Sequence, residues 1–372
     1  VGGRVRTDEV DGYRLDRGFQ VLLTAYPEAQ RFLDYEKLNL QACYPGSKVW
    51  FENRFHRVAD PFRHPIDGVK SLLTPIGSLG DKLRVGMMRM GLLSSRTMTD
   101  DCSTINALDH MGFGNSMINR FWKPFMRGVF LENELSTTIR KFEETFRFFS
   151  KGDTVLPKKG IGEIPRQLAG QLPREHILLE TEISKVDSNS VESSDGAKWE
   201  GRAVVLATED YHANQLLGIG KGHAEWNSVV CLYFSLAVDD LPSDERILYL
   251  DGTGNGPINN LTFVSTLCDC APVGQALASV SVIGKKELDI QEIANQAKEQ
   301  LTEWFGEKAE GWQYLKGYRI HQAVPSCPVP PSPKPSLTEV YRCGDYFGLP
   351  SIDSAMKSGR ITAEHIIQEF KS

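Results

Sequence analysis

Apolar residues recur along this chain at two spacings, one helical and one alternating. Near the C-terminus Ile352, Ala355, Met356, Gly359, Ala363, Ile366, Ile367 and Phe370 follow the helical spacing and predict one apolar helix face. Ser351 stands before them as an N-cap, with Pro350 ahead of it and Asp353 in the first turn. Residues 340–344 read as a short strand running into Gly344-Asp345 and a tight loop.

Earlier in the chain, Val49, Phe51 and Phe55 alternate around Glu52-Asn53, which predicts a hairpin over 48–58. Residues 66–150 read as mostly helical. Leu83, Met87, Met90 and Leu93 mark one helix, and Ser103 caps a second that runs toward Met111. Pro124 should kink or end a third within 116–130, and Ser136 caps a fourth carrying Ile139, Phe142, Phe146 and Phe149. The Phe- and Trp-rich stripe serves either as core packing or as the wall of an apolar cavity, with Phe121, Trp122, Phe125 and Phe130 as candidate wall members.

Residues 154–172 combine a strand, the loop Gly160-Ile161-Gly162 and a short helix. Residues 177–186 alternate, and 202–208 read as a buried strand with Thr208 capping a helix that Gly218 stops. Strands are predicted at 228–238, 246–250, 259–266 and 277–283. An amphipathic helix is expected over 289–305, with Ile290, Ile293, Ala297, Leu301 and Trp304 on its apolar face. The proline-rich stretch 325–335 reads as an extended connection.

Composition narrows the classes. With 372 residues, 41% hydrophobic and 24% charged, the chain suits two domains or one two-lobed unit. Its net charge of −6 excludes the basic balance of a nucleic-acid binder. Seven cysteines at scattered positions give no disulfide framework or metal-ligand set, which fits a reducing compartment such as cytoplasm or plastid stroma. No metal is expected.

The candidate chemistry lies at the two ends. Gly344 lets a backbone approach a ligand closely, Asp345 offers acceptors to hydroxyls, and the helix after Ser351 presents unpaired N–H groups and a partial positive charge. These suit a polyol, a diphosphate and an electron-accepting ring, the parts of FAD. The stretch 340–360 resembles the last FAD-binding motif of the flavin-containing amine oxidase superfamily, which includes protoporphyrinogen oxidase and phytoene-desaturase-like enzymes. Gly2-Gly3-Arg4-Val5-Arg6, followed by Asp11-Gly12 and Gly18-Phe19, resembles that family's second motif.

The resemblance implies a cofactor set of Gly2, Gly3, Arg4, Arg6, Gly18, Phe19, Ile183, Gly344, Asp345, Ser351, Ile352 and Ala355. It also implies a hydride passed to flavin N5 from an amine or a bulky apolar small molecule. The alternative is a non-catalytic or truncated binding module on the same fold. A surface contact between residues 79–98 and a membrane is a further reading of that segment. No catalytic acid or base is assigned, although Tyr318 and His321 lie on a strand expected to approach the flavin. The expected fold is two-lobed α/β. Residues 1–25, 151–225 and 326–372 form a discontinuous Rossmann-like FAD domain. Residues 26–150 and 226–325 form a substrate domain of mixed or antiparallel sheet and helices. In the family the Gly-Gly-Arg motif follows a βαβ unit carrying G-x-G-x-x-G. Here Val1 precedes the glycines directly, so roughly 30–40 residues of that unit are expected to be missing and FAD to be held poorly.

Overall fold

The strand Trp226–Ala237 is central to the largest sheet of the computed structural model, which describes residues 1–93, 98–220, 225–284, 287–327 and 340–371. Its alternate side chains are buried on both faces. Val230, Leu232, Phe234 and Leu236 meet the helix Ile290–Phe305, while Cys231 and Tyr233 join a second core with Leu15 and Leu156. A strand covered on both sides has to read as a continuous apolar run, and this one does.

Seven strands make up the sheet, in the spatial order Gln313–Pro325, Trp226–Ala237, Gln275–Ile283, Ile258–Phe263, Leu248–Asp251, Gly46–Phe51 and Arg54–Ala59. All neighbours are antiparallel except Leu248–Asp251 with Gly46–Phe51. The sheet is therefore mixed, as expected, and its last two strands are the hairpin predicted from Glu52-Asn53. Those two residues take φ of 52° and 55°, the left-handed pair that a two-residue hairpin turn requires.

Helices from the middle of the chain lie over the Asn259–Asn260 part of this sheet. Asn259 donates to the Pro124 carbonyl at 2.9 Å, and a Cβ on Gly128 would stand 2.9 Å from Asn260 Oδ1, so the helix Lys123–Phe130 needs a glycine to lie so close. Pro124 neither kinks nor ends the helical run as expected. A π-helical turn, Ile118–Trp122, precedes Lys123–Phe130 and places the proline in that helix's first turn, where its missing N–H costs nothing. Trp122 is fully buried at the centre of this region, with the rings of Phe113, Phe121, Phe142 and Phe146 between 5.2 and 6.0 Å away. Thr138, not Ser136, caps the helix Ile139–Lys151, because the Ser136 hydroxyl donates to Glu132 instead.

Outside the large sheet, parallel pairing among the described residues is confined to Val205–Leu206 and Tyr341–Arg342. Residues 202–208 are not the buried strand expected from their apolar run. They hold one short neighbour, and Val205 remains exposed. Thr208 does not cap the helix Asp210–Leu216, for which Glu209 takes the N-cap position without a side-chain bond. Of the proline-rich connection, residues 328–335 lie outside the described residues.

The chain ends are held by buried carboxylates. Asp353 accepts the backbone N–H groups of Glu28 and Ala29, and Glu28 pairs with Arg360 at 2.8 Å. In the helix Ile352–Glu369 the predicted apolar face is only partly used. Ile352 and Met356 pack beside Ile161 and Ile164, whereas Ile367 and Phe370 are exposed. Asp16 accepts from the Thr7 hydroxyl at 2.5 Å and from Ile161 N at 3.1 Å, pinning the hairpin Thr7–Val10 and Tyr13–Asp16 to the Gly160-Ile161-Gly162 loop.

Burial pushes Asp16 up to about 6, against the hydrogen bonds from Thr7 and Ile161 that oppose the rise. A raised carboxyl contributes stability that is present below its unfolded pKa, near 3.8, and is lost as pH rises through the folded value. The stability of Asp16→Asn relative to wild type should therefore grow by up to about 3 kcal/mol between roughly pH 4 and pH 7. Urea titrations at the two pH values check this; a constant difference would remove Asp16 from the pH response.

Candidate active site

Residues from both chain ends and from the helical region enclose one cavity of about 990 Å³. Gly2, Gly3, Arg4, Gly18, Phe19, Gly344, Asp345, Ser351, Ile352 and Ala355 all line it, so the sequence motifs 340 residues apart do meet. Arg6 and Ile183 do not. Arg6 turns outward to pair with Asp8 at 3.1 Å. Ile183 begins an edge strand of a small antiparallel sheet, Ile183–Val186 beside Ser190–Ser193 and Lys198–Glu200.

Gly2, Gly18 and Gly344 are required by geometry. Gly2 has φ +91°, and a Cβ there would stand 2.4 Å from the Val5 carbonyl oxygen; Gly18 has φ +93°. A Cβ on Gly344 would stand 2.3 Å from the Tyr346 ring. Gly3 has nothing within 4 Å of the position a Cβ would take, so a flat or extended ligand can lie against bare backbone here. Ser351 accepts from Ser354 N at 3.0 Å, capping the 18-residue helix whose first turn faces the cavity. Its remaining N–H groups and dipole favour negative charge at that wall.

Arg4 does not stand free for a diphosphate. Its guanidinium forks onto Asp345 at 2.9 and 2.6 Å, donates to the Ala323 carbonyl at 3.2 Å and lies 5.2 Å from the Trp226 ring centre. Burial would lower its pKa, but the hydrogen bonds and charge of Asp345 outweigh burial and hold it raised. Arg4 therefore orients Asp345, and both side chains keep a face on the cavity.

Beyond this cradle the wall is aromatic and aliphatic, with Tyr44, Ile76, Phe121, Trp122, Phe125, Phe130, Phe146 and Phe149. All four candidate wall residues belong to it, while Trp122 is also core. The strand Gln313–Pro325 reaches the cavity through Ile320, Ala323 and Val324. His321 is exposed and does not line it, and Tyr318 donates to Asp8 instead. Successive strand side chains point to opposite faces, which sends His321 away once Ile320 faces in.

Sequence reading missed Lys141. It lines the cavity, is almost fully buried and has Glu144 at 3.6 Å; burial pulls its pKa down, with the Glu144 charge opposing. The signal was present in its spacing, because Lys141, Thr145 and Phe149 fall on one helical face. The cavity's carboxylates are all engaged: Asp345 with Arg4, Asp60 with Arg63 and Arg89, and Glu209 with His212 and, at 4.0 Å, Arg4.

The sequence profile of the flavin containing amine oxidoreductases matches residues 1–367, and the chain belongs to this family. No curated protein sequence matches it. Among solved structures it resembles an oxidoreductase from Methanosarcina mazei at TM-score 0.72 and 13% identity, covering 98% of this chain and 92% of that one. Putrescine oxidase bound to putrescine superposes at TM-score 0.69 and 13% identity, covering 99% and 91%. Reduced UDP-galactopyranose mutase does so at 0.65 and 13%, covering 99% and 88%. At these identities the likeness establishes a common fold.

Proposed function

We propose that this protein is an FAD-dependent oxidoreductase that oxidises a bulky apolar small molecule. The observation that carries the reading is the single cavity in which the glycine, Asp345 and helix-terminus cradle opens into an aromatic chamber. Residues 1–25, 151–225 and 326–372 would hold the cofactor, and 26–150 with 226–325 would shape the chamber. When bound, FAD supplies a hydride acceptor at its N5. Asp345, fixed by Arg4, accepts from sugar-chain hydroxyls. The first turn after Ser351 would favour negative charge on a bound cofactor. Gly2 and Gly3 let backbone lie against the cofactor, and the aromatic wall excludes water and orients the substrate.

An amine is the less favoured substrate. An ammonium group is held by an unpaired carboxylate or by aromatic faces; Asp60, Glu209 and Asp345 already lie against arginines, which leaves the aromatic wall alone to hold one. The test is a visible spectrum of the purified protein before and after addition of FAD. Protein-bound bands near roughly 370 and 450 nm that bleach with substrate support the reading. Absence of bound flavin at saturating FAD, both in this chain and in a version extended by its native upstream codons, would overturn it in favour of a non-catalytic binding module.

A further inference from the structure

Large apolar side chains on the outside of this protein are concentrated in one short stretch. Phe62, Ile66, Val69, Leu72, Leu73, Leu79, Leu83, Met87, Met90 and Leu92 are all exposed, with Leu73 at 88% and Ile66 at 75%. Their spacing orders them. On the helix Pro65–Leu72 and its C-cap, Ile66, Val69 and Leu73 share one stripe; on the helix Leu79–Arg89 and its C-cap, Leu79, Leu83, Met87 and Met90 share another. The two helices are tied together, since Lys82 donates to the carbonyls of Leu72 and Thr74, and Arg89 lies over the Phe62 ring at 5.3 Å. A stripe that faced the core would be buried, and these face solvent.

Charge on this face runs opposite to the rest of the chain. Residues 60–93 carry five basic and three acidic side chains in a protein of net charge −6. The acids are turned inward or paired. Asp81 is buried, where it completes the capping box with Ser78 and accepts Gly114 N at 2.8 Å. Asp60 pairs with Arg89 at 3.0 Å, and Asp67 accepts from Tyr44 at 2.7 Å. Lys70, Lys82 and Arg84 border the apolar stripes. Phe62 and Leu72 belong at once to the exposed face and to the cavity wall, so apolar surface continues from the outside into the chamber.

We propose that the face made by Pro65–Leu72 and Leu79–Arg89 seats this protein on an anionic lipid bilayer and delivers substrate from the lipid phase into the cavity. No helix among the described residues is long and apolar enough to cross a membrane, so the protein lies on one leaflet. The apolar stripes enter the acyl boundary, and the Lys70 and Arg84 stems reach back to the headgroups. A second copy would have to bring an acidic surface to the same basic border, and a like face meeting itself places cation against cation.

The experiment is co-sedimentation with vesicles of phosphatidylcholine alone and of phosphatidylcholine containing roughly 30% phosphatidylglycerol. Wild type should pellet with the anionic vesicles. The triple variant Ile66→Glu/Leu73→Glu/Leu83→Glu changes only exposed side chains outside the cavity wall and should lower the bound fraction on the order of tenfold. Its circular dichroism and melting midpoint report folding, and Leu73→Glu alone repeats the test should the triple variant misfold. Ile361→Glu/Ile367→Glu, placed on exposed apolar positions of the C-terminal helix, should bind as wild type does. Wild type left in the supernatant, a triple variant that pellets unchanged, or a wild-type dimer that the triple variant dissociates would each overturn the proposal. None of these readouts depends on bound flavin or turnover.

Discussion

Arg4→Met should destabilise the protein by about 3 kcal/mol, the order found when one partner of a buried ion pair is removed. Asp345 is only 4% exposed and would lose the guanidinium that satisfies both its oxygens. Asp345→Asn should cost less, because Arg4 is partly open to solvent and retains the Ala323 carbonyl. The double variant should recover much of the loss, and the cycle measured by urea denaturation gives the coupling directly. Simple additivity would mean that the two side chains do not act as a unit. If Asp345 also binds the sugar chain of FAD, Asp345→Ala should weaken FAD by about 100-fold, the worth of a hydrogen bond to a charged group. Flavin fluorescence titration reads that loss separately from stability.

Trp122→Ala should be the most damaging single change in the helical region, at about 3–5 kcal/mol. The indole is fully buried and touches rings from four directions, so its removal leaves a void that the surrounding Phe side chains are too constrained to fill. The melting midpoint should fall by several degrees or the protein should fail to express. A variant that melts like wild type would show that Trp122 serves the cavity wall and not the core.

Much of the fold was legible because it is encoded locally. Glu52-Asn53 announced the hairpin, Ser103 and Ser351 announced helix starts, and continuous apolar runs marked the strands of the large sheet. The cofactor-side motifs were legible as glycine and acid placements, and ten of those twelve residues do converge. What stayed hidden depends on partners distant in sequence. A charge on Arg4 does not reveal that Asp345 will take it, and burial of Lys141 follows from helix packing that spacing only hints at. The direction of His321 is set by strand register. Residues 202–208 misled because a short apolar run reads alike whether it gains two neighbours or one.

The Arg4–Asp345 bridge spans 341 positions of chain, and this has a bearing on biosynthesis. On a ribosome the large sheet can close once residue 325 has emerged, yet the cradle cannot form until Asp345 and the helix after Ser351 are available. Closing so long a loop is slow and comes after the more local pairings. The Arg4 guanidinium must therefore wait without Asp345 until the last part of synthesis. In that interval a chaperone that shields exposed apolar surface would act on the Pro65–Leu72 and Leu79–Arg89 face.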